Sequence, residues 1–130
     1  MTSTTPHALG SRGEIAAVNF LRQLGYRIIA TRFRNQFGEV DIIAQDGQTN
    51  VFTEVKTRTS TADGQPFEAV DSRRQKRLIR AALAWLKAQN RLNQPARFDI
   101  ISIVWPADSG TPRITHYANA FQTTAPGQMF

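Results

Sequence analysis

The chain of 130 residues is long enough for one compact domain and too short for two ordinary ones. Its hydrophobic share of 41% excludes a disordered protein, and no apolar run approaches the roughly 20 residues that a membrane span needs. The net charge is +6 and 13 of the 16 basic residues are arginine, which binds phosphate through two parallel hydrogen bonds, so we expect either a nucleic-acid partner or a basic surface without a specific partner.

The amino-terminal segment, MTSTTPHALGSRG, lacks the apolar core of a signal peptide, and the chain has no cysteine. We therefore expect a cytoplasmic protein without disulfides or thiolate chemistry. Both ends of the chain carry Ser, Thr, Pro and Gly without periodicity. We expect flexible tails over 1–10 and 122–130 and a single domain over 11–121.

The first elements predicted along the chain are a helix over 11–24 and a strand over 26–33. Ser11 can cap the helix, and Glu14 follows at the spacing of a capping box. Apolar residues then recur on one helix face until Gly25 ends the helix. The sequence YRIIATRF forms the predicted first strand.

A β-hairpin is predicted next, over 38–57. GEVDIIAQ and QTNVFTEVKT flank the turn, and Asp46-Gly47 is among the strongest short signals for a tight turn. The many apolar residues of the hairpin suit the middle of a sheet, where isolated charges are costly. The charged residues within its strands are therefore candidates for function.

Four charged residues occupy the strands of this hairpin. Because side chains alternate between the two faces of a strand, Glu39 and Asp41 share one face, and Glu54 and Lys56 share one face of the partner strand. A loop of two or four residues brings Asp41 to the side of Glu54 and Lys56, and a four-residue loop sets Asp41 opposite Glu54. A three-residue loop separates them. We therefore predict a loop with an even number of residues.

Beyond the hairpin, the polar segment 57–72 predicts a mobile loop. It leads to a helix over 72–92 with one apolar face, and then to strands over 97–105 and 113–121. The order of helix, three strands, helix and two strands predicts an α/β domain. A helical crossover usually joins parallel strands, so the sheet should be mixed.

The acids of the hairpin suggest a metal site. Two carboxylates on neighbouring strands raise each other's pKa unless a cation lies between them. Such oxygen ligands suit Mg²⁺, which activates phosphoryl groups and water, while Lys56 can orient the water or offset charge in the transition state. Asp41, Glu54 and Lys56 therefore suit phosphodiester hydrolysis. The alternative is structural, with Glu54 and Lys56 as a solvated salt bridge and Asp41 in a surface ladder.

Asp41, twelve intervening residues and Glu54-Val55-Lys56 resemble the PD-(D/E)xK nuclease signature, without the proline that often begins it. The wider sequence is similar to the YraN-type family of small bacterial proteins, through segments in matching order and spacing: GSRGEIAAVNFLRQLGY, GEVDIIA, VFTEVKTR, GQPFEAV, RQKRL and RFDIISI. The resemblance covers about 8–118. It implies a restriction-endonuclease-like core, αβββαβ with a mixed central sheet flanked by helices, related to archaeal Holliday-junction resolvases.

The resemblance also implies roles for individual residues. Asp41 and Glu54 match the metal-binding acids, with the Val55 carbonyl as a further ligand for Mg²⁺ or Mn²⁺. Lys56 matches the catalytic lysine. Glu14 matches the acid that such resolvases add from their N-terminal helix, and the capping box is its alternative role.

Three further residues have a second interpretation each. Glu39 is either an additional acid of the site or the partner of an arginine. Gln75 lies where this fold often has a polar residue near the active site, or it is an exposed helix residue. Asp99 is expected to anchor Arg97 or a loop amide more readily than a metal.

Basic residues near the hairpin and at the start of the second helix predict a nucleic-acid surface. Those expected to contact phosphate are Arg32, Arg34, Arg58, Arg73, Arg74, Lys76 and Arg77. Further along the helix, Lys87 and Arg91 are better explained as the polar outer face of a helix that packs on a sheet.

The leading functional prediction is a Mg²⁺- or Mn²⁺-dependent endonuclease that acts on DNA, linear or branched. A nucleic-acid-binding or scaffold protein with the nuclease fold and little catalysis is the alternative, and an RNA-processing factor is a third. Resolvases of this type act as dimers so that two strands are cut symmetrically, which suggests a homodimer, although the sequence marks no dimer interface. No membrane partner is expected.

Overall fold

The computed structural model describes residues 6–59, 72–106 and 110–121. Two helices and five strands follow one another along the chain: α1 (Pro6–Gln23), β1 (Arg27–Asn35), β2 (Gly38–Asp46), β3 (Thr49–Arg58), α2 (Ser72–Ala88), β4 (Ala96–Val104) and β5 (Arg113–Phe121). This is the predicted order of elements. The GQPFEAV segment and residues 1–5 and 122–130 of the expected tails lie outside the described residues.

The five strands form one sheet in the order β1-β2-β3-β4-β5. Neighbouring strands are antiparallel except β3 and β4, which are parallel because the chain passes through α2 between them. The predicted α/β domain with a mixed sheet flanked by helices is confirmed, and it is consistent with a restriction-endonuclease-like fold. Neither α1 nor α2 is long and apolar enough to cross a membrane.

Helix α1 begins at Pro6, before the predicted start at Ser11. Proline suits the first turn of a helix because its missing N–H would have no partner there. Ser11 and Glu14 consequently lie inside the helix, and the capping box predicted for them is wrong. The other end agrees with the prediction, since Gly25 has a φ of 92° and donates its N–H to the Arg22 carbonyl at 2.9 Å.

The hairpin between β2 and β3 turns through two residues, Gly47 and Gln48. Asp46 and Thr49 are the last paired residues, and Gly47 has a φ of 61°, as the first central position of a type II′ turn requires. The predicted even-numbered loop is confirmed, but its residues are shifted by one from Asp46-Gly47. Asp46 stays in the strand, where its carboxylate accepts a hydrogen bond from Nη1 of Arg97 at 3.1 Å.

Apolar side chains bury both faces of the sheet. On one face, α2 packs through Leu78, Trp85 and Leu86 against a cluster that includes Phe52 and Phe98. Phe52 lies edge-on to Trp85, with ring centroids 5.8 Å apart. On the other face, α1 packs against the strands through a second cluster: Ala17, Leu21, Ile42, Ala44, Ile101 and Ile103. The hairpin is therefore held from both sides, which fixes the positions of its charged residues.

A buried ion network joins β4 to β5. Asp99 has no exposed surface, and its Oδ1 accepts hydrogen bonds from Nε of Arg97 at 3.1 Å and from the backbone N–H of Asn119 at 2.8 Å. Nε2 of His116 lies 2.7 Å from its Oδ2. Burial alone would raise the pKa of Asp99, but the bonds from His116, Arg97 and Asn119 hold that pKa below its ordinary value. The predicted anchoring role of Asp99 is confirmed.

Candidate active site

Regular strand pairing is interrupted at Asp41, in the middle of β2. On the β1 side, pairs form before and after this position but not between Asp41 and Arg32, whose φ of 52° departs from strand geometry. On the β3 side, pairing runs from the turn to Ile42 and Thr53, one residue short of Asp41 and Glu54. Continuing the register places the two acids opposite each other where the pairing of the hairpin strands ends.

Alternation of side chains does not by itself place Asp41 on one face of the sheet. Val40 and Ile43 both pack on the α2 side, whereas Ile42 between them packs on the α1 side. A hydrogen bond sets the orientation, because Oδ2 of Asp41 accepts the backbone N–H of Val55 at 2.8 Å. The acid of β2 is thereby tied to β3 next to the second acid, by a bond that strand periodicity does not predict.

The surroundings of Asp41 disfavour its charged form. Burial of its carboxyl group, followed by the negative charges of Glu54 and, less strongly, of Glu14, raises the pKa of Asp41 to about 7. The N–H of Val55 and the charge of Arg74 act in the opposite direction without cancelling this rise. Two carboxylates that share a desolvated site in this way are stabilised by a cation.

Glu54 is the most enclosed acid of the site, with 2% of its surface exposed. Its Oε1 lies 3.6 Å from Nζ of Lys56 and accepts a hydrogen bond from the guanidinium of Arg74, at the start of α2. Burial raises the pKa of Glu54, and the charges of Arg74 and Lys56 oppose that rise. The structure therefore pairs Glu54 with Lys56 and with Arg74, which the sequence predicted as a nucleic-acid contact.

Helix α1 adds Glu14 to the same neighbourhood. Its Oε1 accepts a hydrogen bond from Nε of Arg32 at 3.0 Å, and Nη2 of Arg32 also donates to Oγ of Ser11 at 3.1 Å. Because the charge of Glu14 acts on the pKa of Asp41, this helix-interior acid lies near the hairpin acids. Its participation in catalysis stays a prediction.

The two accessory residues differ in their surroundings. Glu39 is exposed, and its Oε2 accepts a hydrogen bond from Nη2 of Arg34 at 2.7 Å, which is the second of the two roles considered for it. Gln75 is half-buried on α2, directly after Arg74. Glu39 thus lies outside the group of predicted residues that the structure brings together: Asp41, Glu54, Lys56 and Glu14.

The predicted nucleic-acid contacts fall into two groups. Three of them form ion pairs with acids of the site or its margin: Arg32, Arg34 and Arg74. The others lie exposed or half-buried at the start of α2 and the end of β3: Arg73, Lys76, Arg77 and Arg58. Helix N-termini disfavour cations, and α2 has no acid in its first turn. Arg74 nevertheless pairs with the buried Glu54, a role that the sequence did not predict.

The donor set fits a divalent cation that is bound together with substrate. Within 6–59, 72–106 and 110–121, no three His, Cys, Asp or Glu side chains are arranged to hold a metal by themselves. Mg²⁺, however, is commonly bound by one or two carboxylates together with water and substrate phosphate. Asp41 and Glu54, desolvated and repelling each other, provide such a pair, and the Val55 carbonyl belongs to the same strand segment.

Comparison with known proteins identifies the family of this chain. The model of "Uncharacterised protein family UPF0102" matches residues 13–103. A UPF0102 protein of Geobacter metallireducens is 48% identical over 115 residues, which cover 88% of this chain and 93% of the relative. A UPF0102 protein of Chlorobium phaeobacteroides is 45% identical over 126 residues, or 93% of this chain and 99% of the relative. The family match spans the whole hairpin and Glu14.

Proposed function

Since the chain belongs to the UPF0102 family, also called the YraN family, we propose that it is a metal-dependent endonuclease that hydrolyses phosphodiester bonds in DNA. One observation carries the proposal. Asp41, tied to the amide of Val55, stands beside the buried Glu54, which is itself paired with Lys56. Two desolvated carboxylates and a lysine on adjoining strands are the groups that metal-assisted hydrolysis uses.

Each residue of the cluster has a role in this chemistry. Asp41 and Glu54, with the Val55 carbonyl, would hold Mg²⁺ or Mn²⁺. The ion would supply Lewis-acid activation of the phosphodiester and of the attacking water. Lys56 would donate a hydrogen bond to the water or to a phosphate oxygen and offset the charge that develops there. Glu14 would add a further acid from α1.

Arg74 links the acids to the substrate. In the protein alone, its guanidinium compensates the charge of Glu54. With a divalent cation held by Asp41 and Glu54, the half-exposed Arg74 side chain would bind a substrate phosphate through parallel hydrogen bonds. The ion pair and the predicted nucleic-acid contact would then be two states of one residue.

DNA would approach over the start of α2, where Arg73, Lys76 and Arg77 are exposed. The net charge of +6 favours a polyanionic partner, and the resemblance to junction resolvases favours branched DNA. A homodimer would let two sites cut two strands symmetrically. With DNA as its substrate, the protein would act in the cytoplasm.

A second candidate function is a nucleic-acid-binding or scaffold protein with little catalysis. It is favoured by the two ion pairs of Glu54, because Lys56 and Arg74 offset the negative charge of this buried acid without any metal. A site of this kind keeps a charged network for stability and leaves the surrounding basic surface to bind nucleic acid.

Cleavage assays distinguish the two functions. Labelled linear, flapped, single-stranded and four-way-junction DNA, and RNA, would be incubated with the purified protein and Mg²⁺ or Mn²⁺. We expect metal-dependent cleavage of at least one DNA substrate by the wild type. The Asp41→Asn and Glu54→Gln variants should lose it, and Glu39→Gln, which changes an exposed acid of the same hairpin, should retain it.

Three results would change this conclusion. Cleavage that persists in both site variants would assign the activity to another site or to a contaminant. Absence of cleavage on every substrate, together with nucleic-acid binding that needs no metal, would favour the second candidate. Cleavage of RNA alone would replace DNA as the substrate class.

A further inference from the structure

A groove beside α2 lies apart from the candidate active site. It has a volume of about 530 Å³ and is lined by side chains from the β1–β2 turn, from α2 and from the segment that follows α2: Gln36, Phe37, Arg80, Leu83, Ala84, Lys87 and Leu92. Arg80 and Lys87 follow Arg74 by roughly 9 and 20 Å along the helix axis. We call this feature the α2 groove.

The α2 groove combines one face of a helix with exposed apolar side chains. The four lining residues of α2 recur at the i, i+3, i+4, i+7 spacing of a single helix face, and this face is distinct from the one buried against the sheet. Phe37 and Leu92 are 40% and 41% exposed, and they are two of the four large apolar side chains exposed among the described residues. Exposed apolar surface concentrated in a groove marks an interaction site.

The charge of the groove indicates what it binds. Its described lining contains two cations, Arg80 and Lys87, and no acid. We propose that the α2 groove is a docking site for an acidic partner protein, which presents an amphipathic helix with Leu or aromatic anchors flanked by Asp and Glu. The anchors would pack against Phe37, Leu83 and Leu92. Arg80 and Lys87 would pair with the flanking acids while their aliphatic stems extend the apolar surface.

Two other occupants match the groove less well. A second copy in a two-fold contact would bring Arg80 and Lys87 against the same residues, and the chain has ten acidic residues against 16 basic ones. A nucleic-acid backbone would pair with both cations but would leave Phe37 and Leu92 against phosphate and sugar. An acidic amphipathic helix satisfies the apolar and the charged parts together. The proposal does not depend on nuclease activity.

Peptide selection tests the proposal. A phage library of random peptides of about 15 residues would be selected on the wild-type protein, with counter-selection on a Leu83→Glu variant. We expect the enriched peptides to be acidic, with apolar anchors at three- and four-residue spacing. A fluorescein-labelled synthetic copy of an enriched peptide should bind about 10-fold more weakly to Leu83→Glu and to the Phe37→Ser/Leu92→Ser double variant, and more weakly to Lys87→Glu.

The matched control is Leu24→Glu, which changes an exposed apolar side chain next to the end of α1 and should leave peptide binding unchanged. Thermal melting identifies any variant that fails to fold. If Leu83→Glu fails to fold, the Phe37→Ser/Leu92→Ser double variant still tests the groove. The proposal is overturned if selection yields no groove-dependent peptide or yields basic ones. It is also overturned if the groove substitutions instead weaken duplex DNA binding or change the sedimentation coefficient, which would assign the face to nucleic acid or to a second copy.

Discussion

The carboxylate of Asp41 accepts the backbone N–H of Val55 at 2.8 Å, which ties β2 to β3 at the residue between Glu54 and Lys56. The regular pairing of the two strands has already ended at this point, so a side chain takes the place of a strand-to-strand bond. An asparagine at position 41 would keep the acceptor oxygen and remove the charge, whereas alanine would remove both. The hydrogen bond from Val55 and the negative charge of Asp41 can therefore be tested separately.

Replacing Asp41 with asparagine should stabilise the metal-free protein above neutral pH. The pKa of Asp41 is raised to about 7, so the folded protein holds this proton more tightly than the unfolded chain, whose pKa is about 3.9. The stability linked to this proton is complete below about pH 4 and is lost as the pH rises through about 7. We expect the advantage of Asp41→Asn over wild type to be about 3 kcal/mol larger near pH 8 than near pH 4.5.

Urea unfolding across this pH range measures that advantage. As a control, Asp41→Ala should be less stable than Asp41→Asn by about 1 kcal/mol at each pH, because the N–H of Val55 loses its acceptor. An advantage of Asp41→Asn that stays constant from the acidic to the alkaline end would contradict the raised pKa.

Removing Arg74 should leave the buried Glu54 less well compensated. Arg74→Gln is expected to lower the free energy of unfolding by about 1 kcal/mol relative to Arg73→Gln, a change of an exposed neighbour; the partial exposure of Arg74 limits the effect. Mn²⁺ should stabilise Arg74→Gln at least as much as wild type, because the ion replaces the lost cation. Thermal melting with and without Mn²⁺ measures both effects. Equal stability of the two variants would show that Arg74 is not the counter-ion of Glu54.

The exposed cations of α2 should set the salt dependence of DNA binding. Each neutralised phosphate contributes about 0.9 to the slope of log K against log salt. Replacing Arg73, Lys76 and Arg77 together by glutamine should therefore reduce the slope by about 2 to 3. Fluorescence anisotropy in an Asp41→Asn background measures binding without cleavage. Arg113→Gln, on the edge strand β5, is the control, and an unchanged slope in the triple variant would exclude this surface.

The Asp99 network should support the fold rather than the chemistry. Asp99→Asn keeps the size of the side chain but removes the buried charge that pairs with Arg97, and we expect it to cost about 3 kcal/mol at neutral pH. Because the pKa of Asp99 is lowered, its stabilisation is present above about pH 4 and is lost as the pH falls further. Urea unfolding gives the cost. A variant of wild-type stability that nevertheless loses Mn²⁺ binding would contradict this structural role.

Much of the hairpin could be predicted because strand periodicity and chain order are local properties. These two properties are enough to predict the mixed sheet, the even-numbered loop and the pairing of Glu54 with Lys56. The turn differs from its prediction by one residue, because a glycine with positive φ fits either central position of a two-residue loop; the pairing of Asp46 with Thr49 makes the loop Gly47-Gln48. The start of α1 differs from its prediction because Ser11 and Glu14 have the spacing of a capping box and the residues before them show no periodicity, whereas the helix begins at Pro6.

The contacts of Asp41 and Arg74 could not be predicted in this way. The pairing of β1 with β2 is interrupted between Arg32 and Asp41, where Arg32 has a positive φ. No signal in the sequence predicts a positive φ at an arginine. Arg74 reaches Glu54 from the next helix along the chain, so its role depends on how α2 packs on the sheet. Both contacts arise from tertiary structure, and both lie within the candidate active site.

Binding of a divalent cation by Asp41 and Glu54 is the property on which the proposed chemistry depends. Calorimetric titration of Mn²⁺ into the wild-type protein near pH 8 measures it most directly. We predict one ion per chain, with an affinity reduced about 10-fold or more in Asp41→Asn and in Glu54→Gln and unchanged in Glu39→Gln. Equal Mn²⁺ affinity in the wild type and both site variants would contradict a metal site at these acids.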